Sequence, residues 1–261
     1  MGALKAVGWV FINTLQAVWL VGYSVFNFVL VLLLYAMTWN PETALSPARI
    51  TYGPVNVFLG LSKMIVEGRE NFPRDKPYIL MMNHQSMADI MVAWMVAPIP
   101  VRFIAKHVLS YVPVVGWVMW IFGMVSIDRG DAHAAAKALK KAARVLAGGR
   151  TLCAFPEGTR TRDGKIAAFK RGVFLLAMKA KVPIVPVAAE GLGVFAPRTG
   201  WHPRPVTIRV KIGAPVATDG DGDRDTLIKK VRDAMIDMHV SVGGAGGDKA
   251  NAVAEGKAAA A

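Results

Sequence analysis

The pattern of apolar and polar positions divides the chain into two regimes. No Asp, Glu, Lys or Arg occurs from residue 6 to residue 41, a run of 36 positions. As one helix this run would measure roughly 54 Å, against a bilayer hydrocarbon core of about 30 Å. It must therefore tilt, break or lie partly in one leaflet. A secretory signal fits poorly, because the apolar part is too long and no small-residue cleavage site is clear. At about 100° per residue, Asn13, Gln16, Ser24, Asn27 and Thr38 fall within roughly a quarter of the circumference. Leu20, Val31 and Leu34 share that face, so the polar stripe is weak and reads as a helix-packing seam. The other reading turns that face toward headgroups or the rest of the protein. Ser46-Pro47 is a helix-start signal for a second apolar stretch reaching residue 66. Gly53-Pro54 interrupts it, and it reads as a second, shallow membrane-bound helix.

Beyond residue 63 the period changes. Short apolar runs over 64–67, 78–82, 101–105, 124–127, 151–155 and 184–189 read as buried strands. Residues 206–212 alternate apolar and polar, which reads as a half-exposed strand. Helical patterns fill 88–96, 116–122, 132–146, 172–180 and 224–240. Strands alternating with helices predict an α/β fold: a mostly parallel sheet flanked by helices, behind an N-terminal hydrophobic membrane-anchoring helical segment. The expected domains are 1–62, anchoring helices; 63–242, the α/β domain; and 243–261, a Gly/Ala-rich tail with too few large apolar side chains to fold.

Composition sharpens this picture. Hydrophobic residues make up 54% of the 261 and charged residues 19%, the balance of a membrane-associated protein or of an unusually apolar core. The net charge is +13, and residues 137–181 carry twelve Lys or Arg against two acidic residues, leaving +10 there. Such a patch implies an anionic partner: nucleic acid, anionic lipid or a phosphorylated substrate. Lys5 is the one basic residue before the uncharged run, whereas Arg49, Lys63, Arg69, Arg74 and Lys76 follow it. If the run spans a membrane, the positive-inside rule places its C-terminal side in the cytoplasm. The single cysteine, Cys153, sits in an apolar run and reads as a buried, inert thiol. The five histidines are scattered, with no metal-ligand spacing.

Two stretches carry candidate chemistry. Asn83-His84-Gln85-Ser86-Met87-Ala88-Asp89 lies where the strand over 78–82 gives way to a helix, the place where open α/β sheets bind ligands. A neutral His84 there can take a proton from a hydroxyl, and a carboxylate at Asp89 can orient the ring and stabilise its charge. Ser86 and Asp89 equally suit a capping box with His84 a bystander, and the heptapeptide alone leaves both readings open. The second stretch, Phe155-Pro156-Glu157-Gly158-Thr159-Arg160, is a tight turn after the strand containing Cys153. Its amides, the Thr159 hydroxyl and the Arg160 guanidinium suit a phosphate, with Glu157 out of place unless it pairs with a cation or a substrate hydroxyl. The spacing is not that of a nucleotide-binding P-loop. By itself the turn reads rather as a surface loop with a solvated arginine.

Taken in order, residues 84–89, Ser126-Ile127-Asp128-Arg129, residues 155–160 and Val182-Pro183-Ile184-Val185-Pro186 resemble the four blocks of the glycerolipid acyltransferase family. The likeness is greatest to its bacterial lysophosphatidic acid acyltransferase branch and covers residues 66–212. The resemblance implies acyl transfer from a thioester donor, acyl-CoA or acyl carrier protein, to the free hydroxyl of lysophosphatidic acid. The product would be phosphatidic acid. It implies His84 and Asp89 as the catalytic pair, and Glu157, Gly158, Thr159, Arg160, Arg129 and Lys106 as the acceptor-phosphate site. It implies no metal and no cofactor beyond the acyl donor. The partners it implies are the lipid bilayer, lysophosphatidic acid and the donor, without nucleic acid. The location it implies is the cell inner membrane, with the catalytic domain on the cytoplasmic side. Pro183 and Pro186 would shape the sheet and acyl tunnel. Some relatives carry a larger side chain where this chain has Ser126, which leaves acyl and acceptor preference open. Other acceptors remain as alternatives: another lysophospholipid, glycerol 3-phosphate or a lyso-aminolipid. A basic module holding anionic lipid without chemistry is a further one.

Overall fold

The structure is a computed structural model that describes residues 3–112, 115–128, 131–197, 204–219, 223–250 and 252–253. Its elements run α1 (Ala3–Thr38), α2 (Pro41–Leu59), β1 (Lys63–Glu67), β2 (Ile79–Met82), α3 (Ala88–Val96), β3 (Val101–Lys106), α4 (Val115–Ile121), β4 (Val125–Ile127), α5 (Ala132–Ala147), β5 (Thr151–Ala154), α6 (Arg171–Ala180), β6 (Ile184–Glu190), α7 (Leu192–Phe195), β7 (Thr207–Ile212) and α8 (Arg224–Ser241). Past residue 63, each strand and helix expected from the pattern is present to within one residue at either end. The single-turn α7 is too short to leave a periodic signal.

The chain forms two compact units, one of Met1–Ile65, Gln85–Pro100 and Glu190–Arg209, the other of Val66–His84, Val101–Ala189 and Val210–Ala261. In the first, α1 packs along α2. Among the described residues of α1, Asn13, Asn27 and Val31 are buried, as in a seam, whereas Leu20 and Thr38 of the same face are exposed. Thr14, Ser24 and Thr38 donate their hydroxyls to the carbonyls four residues back, at 2.8, 2.6 and 2.7 Å. That bond satisfies each hydroxyl within its own helix. The stretch Gly8–Thr38 is long enough to cross a membrane, and 18 consecutive residues within it reach a mean hydropathy of 2.2.

The second helix departs from the expected pattern. It begins at Pro41 rather than at Ser46-Pro47, because the Asn40 side chain accepts from the Glu42 amide at 2.9 Å and Pro41 occupies the first turn. Nor does Gly53-Pro54 interrupt it; both Pro47 and Pro54 lie inside the helix. Gly53 is needed for packing: a Cβ there would stand 2.1 Å from Cγ of Met95 on α3.

The seven strands order as β1-β7-β6-β2-β5-β3-β4, with β1 and β7 lying across the division between the units. The pairs β6-β2, β2-β5, β5-β3 and β3-β4 are all parallel. All of β2 and β5 is buried, as expected of parallel strands covered on both faces. One core gathers Ile79, Met81, Leu152 and Ile184 from the sheet with Leu146 of α5, Phe174 of α6 and Met235 of α8. Parallel pairing brings the carboxyl ends of β2, β5, β3 and β4 to one edge, and the candidate residues follow those ends.

The chain beyond Gly243, expected to be unfolded, is held in place over residues 243–250 and 252–253. The Gly246 carbonyl accepts from Ile166 N at 2.7 Å, and the Ala252 carbonyl accepts from Phe169 N at 3.0 Å. Arg232 of α8, 1% exposed, donates to the carbonyls of Ile166, Ala167 and Asp248. The tail is fixed by these backbone hydrogen bonds together with Ala252, which is buried, and Val253, which packs on the core; composition does not reveal either. Replacing Arg232 with Met should leave these carbonyls short of donors and cost about 3 kcal/mol or more. Urea titration of Arg232→Met should show that loss, with early proteolysis of the tail.

Candidate active site

His84 is the second residue past the end of β2, and its backbone is pinned on both sides. Its N–H donates to Glu157 Oε1 at 2.8 Å, and its carbonyl accepts from Thr161 N at 2.8 Å. The residue before it is clamped as well: the Asn83 amide donates to the Ala189 carbonyl and accepts from the Ala189 N–H, at 2.9 and 2.8 Å. The imidazole stacks on the Phe155 ring with centroids 4.1 Å apart and planes 14° from parallel. Phe155 in turn stacks toward Phe103 at 6.2 Å. The ring is therefore oriented by an aromatic wall on one face.

Glu157 belongs to this support. The resemblance counts it among the phosphate residues, yet it is 4% exposed and both carboxylate oxygens are engaged by backbone amides. Oε1 accepts from His84, and Oε2 accepts from Ala167 N at 2.9 Å. A buried carboxylate holding two loops is a positioning residue, and this removes the conflict of an acid in an anion site. Gly158 closes the same turn: its N–H donates to the Phe155 carbonyl at 3.0 Å. Its φ of 80° is a left-handed conformation suited to glycine.

Thr159 is exposed and Arg160 half-buried at the tip of the same turn. Lys106 ends β3, exposed, in register with Ile127 of β4. Arg129 lies outside the described residues. His84, Thr159, Arg160 and Lys106 thus all sit at or just past the carboxyl ends of neighbouring parallel strands β2, β5 and β3. Pro183 and Pro186 stay with the sheet: their carbonyls accept from Ile79 N at 3.0 Å and Gly213 N at 2.8 Å. Cys153 is fully buried in β5.

The division between the units falls after His84, so Gln85 to Asp89 belong to the other unit. There Asp89, 1% exposed in the first turn of α3, accepts from Gln85 N and Ser86 N at 2.7 and 2.9 Å, both through Oδ2. Ser86 donates to the Ala196 carbonyl at 2.7 Å and accepts from Ala88 N at 3.1 Å. The carboxylate therefore serves the loop as a cap through one oxygen, and the two readings of the heptapeptide are not exclusive. Gln85, which the sequence did not single out, donates to Glu190 Oε2 at 2.7 Å and accepts from Gly193 N at 3.3 Å. Asn83 and Phe155 were missed too. A polar amide directly after a buried strand was the available signal for Asn83; Phe155 offered none.

The sequence profile of the acyltransferase family matches residues 63–190, a span containing every one of these groups except the Ala196 carbonyl, Gly193 and the Gly213 amide. The chain belongs to the acyltransferase family. It is 38% identical over 163 residues to a 1-acyl-sn-glycerol-3-phosphate acyltransferase of Chlamydomonas reinhardtii, covering 61% of this chain and 49% of that one. It is 36% identical over 203 residues to the enzyme of the same name from Saccharomyces cerevisiae, covering 75% and 66%. The chain thus spans between about half and two thirds of these relatives' length. The crystal structure of the 1-acyl-sn-glycerophosphate acyltransferase PlsC from Thermotoga maritima superposes with a TM-score of 0.77 at 28% identity, over 88% of this chain and 95% of that one.

Asp89 separates capping from charge. Asp89→Asn retains a carbonyl oxygen for the Gln85 and Ser86 amides, so the thermal midpoint should change little while turnover falls steeply. Asp89→Ala strands both amides and should cost about 2–4 kcal/mol in addition. Calorimetry and acyl-transfer rates on the two variants measure this. If Asn restores full turnover, Asp89 is a cap alone.

Proposed function

We propose that this protein is a membrane-bound 1-acyl-sn-glycerol-3-phosphate O-acyltransferase of phospholipid biosynthesis, with His84 as general base. The observation that supports this most is the pinning of His84 on the 155–161 loop. It joins a candidate base to the candidate phosphate turn at one sheet edge, although 70 residues of sequence separate them.

In this reading the acceptor phosphate lies against Arg160 and Thr159, with Lys106 and Arg129 adding positive charge. Arg160 suits a phosphomonoester because its planar fork binds two oxygens at once. His84 takes the proton of the acceptor's free hydroxyl as that oxygen attacks the thioester carbonyl. The C–O bond forms, the tetrahedral intermediate collapses, and the C–S bond breaks. The thiolate leaves and receives the proton from the imidazolium. Asp89 serves as the carboxylate that favours the charged ring. The Phe155 stack keeps the ring from rotating away. The acyl donor is acyl-CoA or acyl carrier protein, and no covalent acyl-enzyme is required.

The apolar hydroxyl-satisfied helix α1 supports membrane attachment. The excess of basic residues after it favours the inner membrane with the catalytic unit on the cytoplasmic side.

Thiol release with a panel of acceptors tests the proposal. Lysophosphatidic acid should be consumed ahead of other lysophospholipids, glycerol 3-phosphate and lyso-aminolipids. His84→Ala should lower turnover by roughly 10²–10⁴-fold. Arg160→Lys should raise KM for acceptors bearing a phosphomonoester and change little for those without one. Absence of thiol release with every acceptor would leave a lipid-binding module instead.

A further inference from the structure

A second surface of the acyltransferase unit is built like a membrane contact, although among the described residues no helix there is long and apolar enough to span a bilayer. From residue 107 to residue 127 there is no Asp, Glu, Lys or Arg. These residues form a 3-10 turn, His107–Tyr111, then α4 and β4. Such a stretch in a folded unit would ordinarily be core. Here its largest side chains face outward: Trp120 is 80% exposed, Tyr111 73%, Trp117 60% and Val108 52%. Val112 and Val115 are exposed beside them. Trp117 and Trp120 are three apart on α4 and share one face, while Met119 and Phe122 turn inward and are buried.

This apolar surface is rigid. The His107 ring holds Ser126 Oγ through Nδ1 at 2.7 Å and the Tyr111 hydroxyl through Nε2 at 2.9 Å. Gly116 packs so tightly on the 3-10 turn that a Cβ would stand 2.1 Å from the Ser110 carbonyl oxygen. The exposed rings are therefore presented by a braced platform.

A basic face adjoins it. Lys141 of α5 donates to the Met124 carbonyl, just past α4, at 3.0 Å. Lys137, Lys140, Lys141 and Arg144 occupy about 100° of the circumference of α5, and all four are exposed. Arg150 follows and is exposed, and no acidic residue occurs between Asp131 and Glu157. The buried Arg102 guanidinium is pushed down to about 10, first by burial and then by the charge of Arg150.

We propose that the 3-10 turn, α4 and the basic face of α5 form a second bilayer-contact surface that recognises anionic lipid. Trp and Tyr favour the headgroup level, where the ring is shielded and its polar tip stays wet. Each Lys or Arg near an anionic leaflet strengthens binding roughly five-fold. A second copy of this chain would bring like charges of a +13 protein together across a two-fold interface, which disfavours that occupant. The proposal stands on this unit alone and does not depend on the acyl-transfer chemistry.

The test uses the full chain carrying a single polarity-sensitive thiol label in place of Trp120, with Val21 of α1 and Lys230 of α8 as reference positions. Cys153 is fully buried and does not compete for label in the folded protein. On vesicles of phosphatidylcholine with phosphatidylglycerol, the label in Trp120→Cys should shift to the blue and be quenched by a lipid-borne nitroxide. The label in Lys230→Cys should remain in water. The triple variant Lys137→Glu, Lys140→Glu, Arg144→Glu should bind such vesicles roughly 10²-fold more weakly. Its thiol release with a water-soluble short-chain acceptor should stay unchanged. Binding is read directly, so failure of the acyltransferase reading would not alter it. The proposal is overturned if the position-120 label stays in water while the Val21→Cys label enters lipid. It is also overturned if binding ignores phosphatidylglycerol, or if the position-120 label is shielded by self-association without lipid.

Discussion

One buried carboxylate ties the candidate chemistry together. Glu157 accepts the His84 amide with one oxygen and the Ala167 amide with the other. Each bond is charge-assisted, and together they fix the loop after β2, the turn after β5 and the segment leading toward α6. The Thr161–His84 bond closes the same loop from the other side. A neutral residue at 157 would leave at least one buried amide unsatisfied. The geometry of the base therefore depends on an acid that need touch no substrate.

The Ala167 amide and carbonyl carry the same chain of constraints outward. While its N–H goes to Glu157, its carbonyl accepts from Arg232 Nε at 2.9 Å. Arg232 lies over the Phe169 ring at 5.9 Å and extends to the tail at Asp248. A buried cation and a buried anion thus bracket one loop, each satisfied through backbone groups. Neutralising either would leave unpaired backbone in the interior, and these bonds, with Val253 packed on the core, hold a glycine- and alanine-rich tail in place.

The lipid-facing features follow a different logic. In α1, hydroxyls fold back on their own helix and the exposed surface is left to Val, Phe, Trp and Leu. In the acyltransferase unit, aromatic rings stand on a platform braced by His107 and are bordered by cations on α5. The first relies on apolar area alone. The second combines apolar area with charge, which makes it responsive to lipid composition and salt.

The α/β alternation, the strand and helix bounds past residue 63, and the pairing of the His84 and Arg160 blocks were all legible in the sequence. They rest on local hydrophobic period and on residue types at fixed spacing, which the chain carries without folding. The start of α2 was not legible because Ser46-Pro47 and Asn40-Pro41 are both valid start signals, and local sequence does not say that the helix runs on through Pro47 and Pro54. The bonds that Glu157 and Gly158 make within the fold were not legible, because a motif gives residue types without saying where their hydrogen bonds go. Asp89 could not be settled as cap or catalytic partner, since one carboxylate has an oxygen for the loop and a second besides. The outward rings of Trp117 and Trp120 were invisible for the same reason. An uncharged stretch reads as core until the sheet and its neighbouring helices have filled the interior and left it outside.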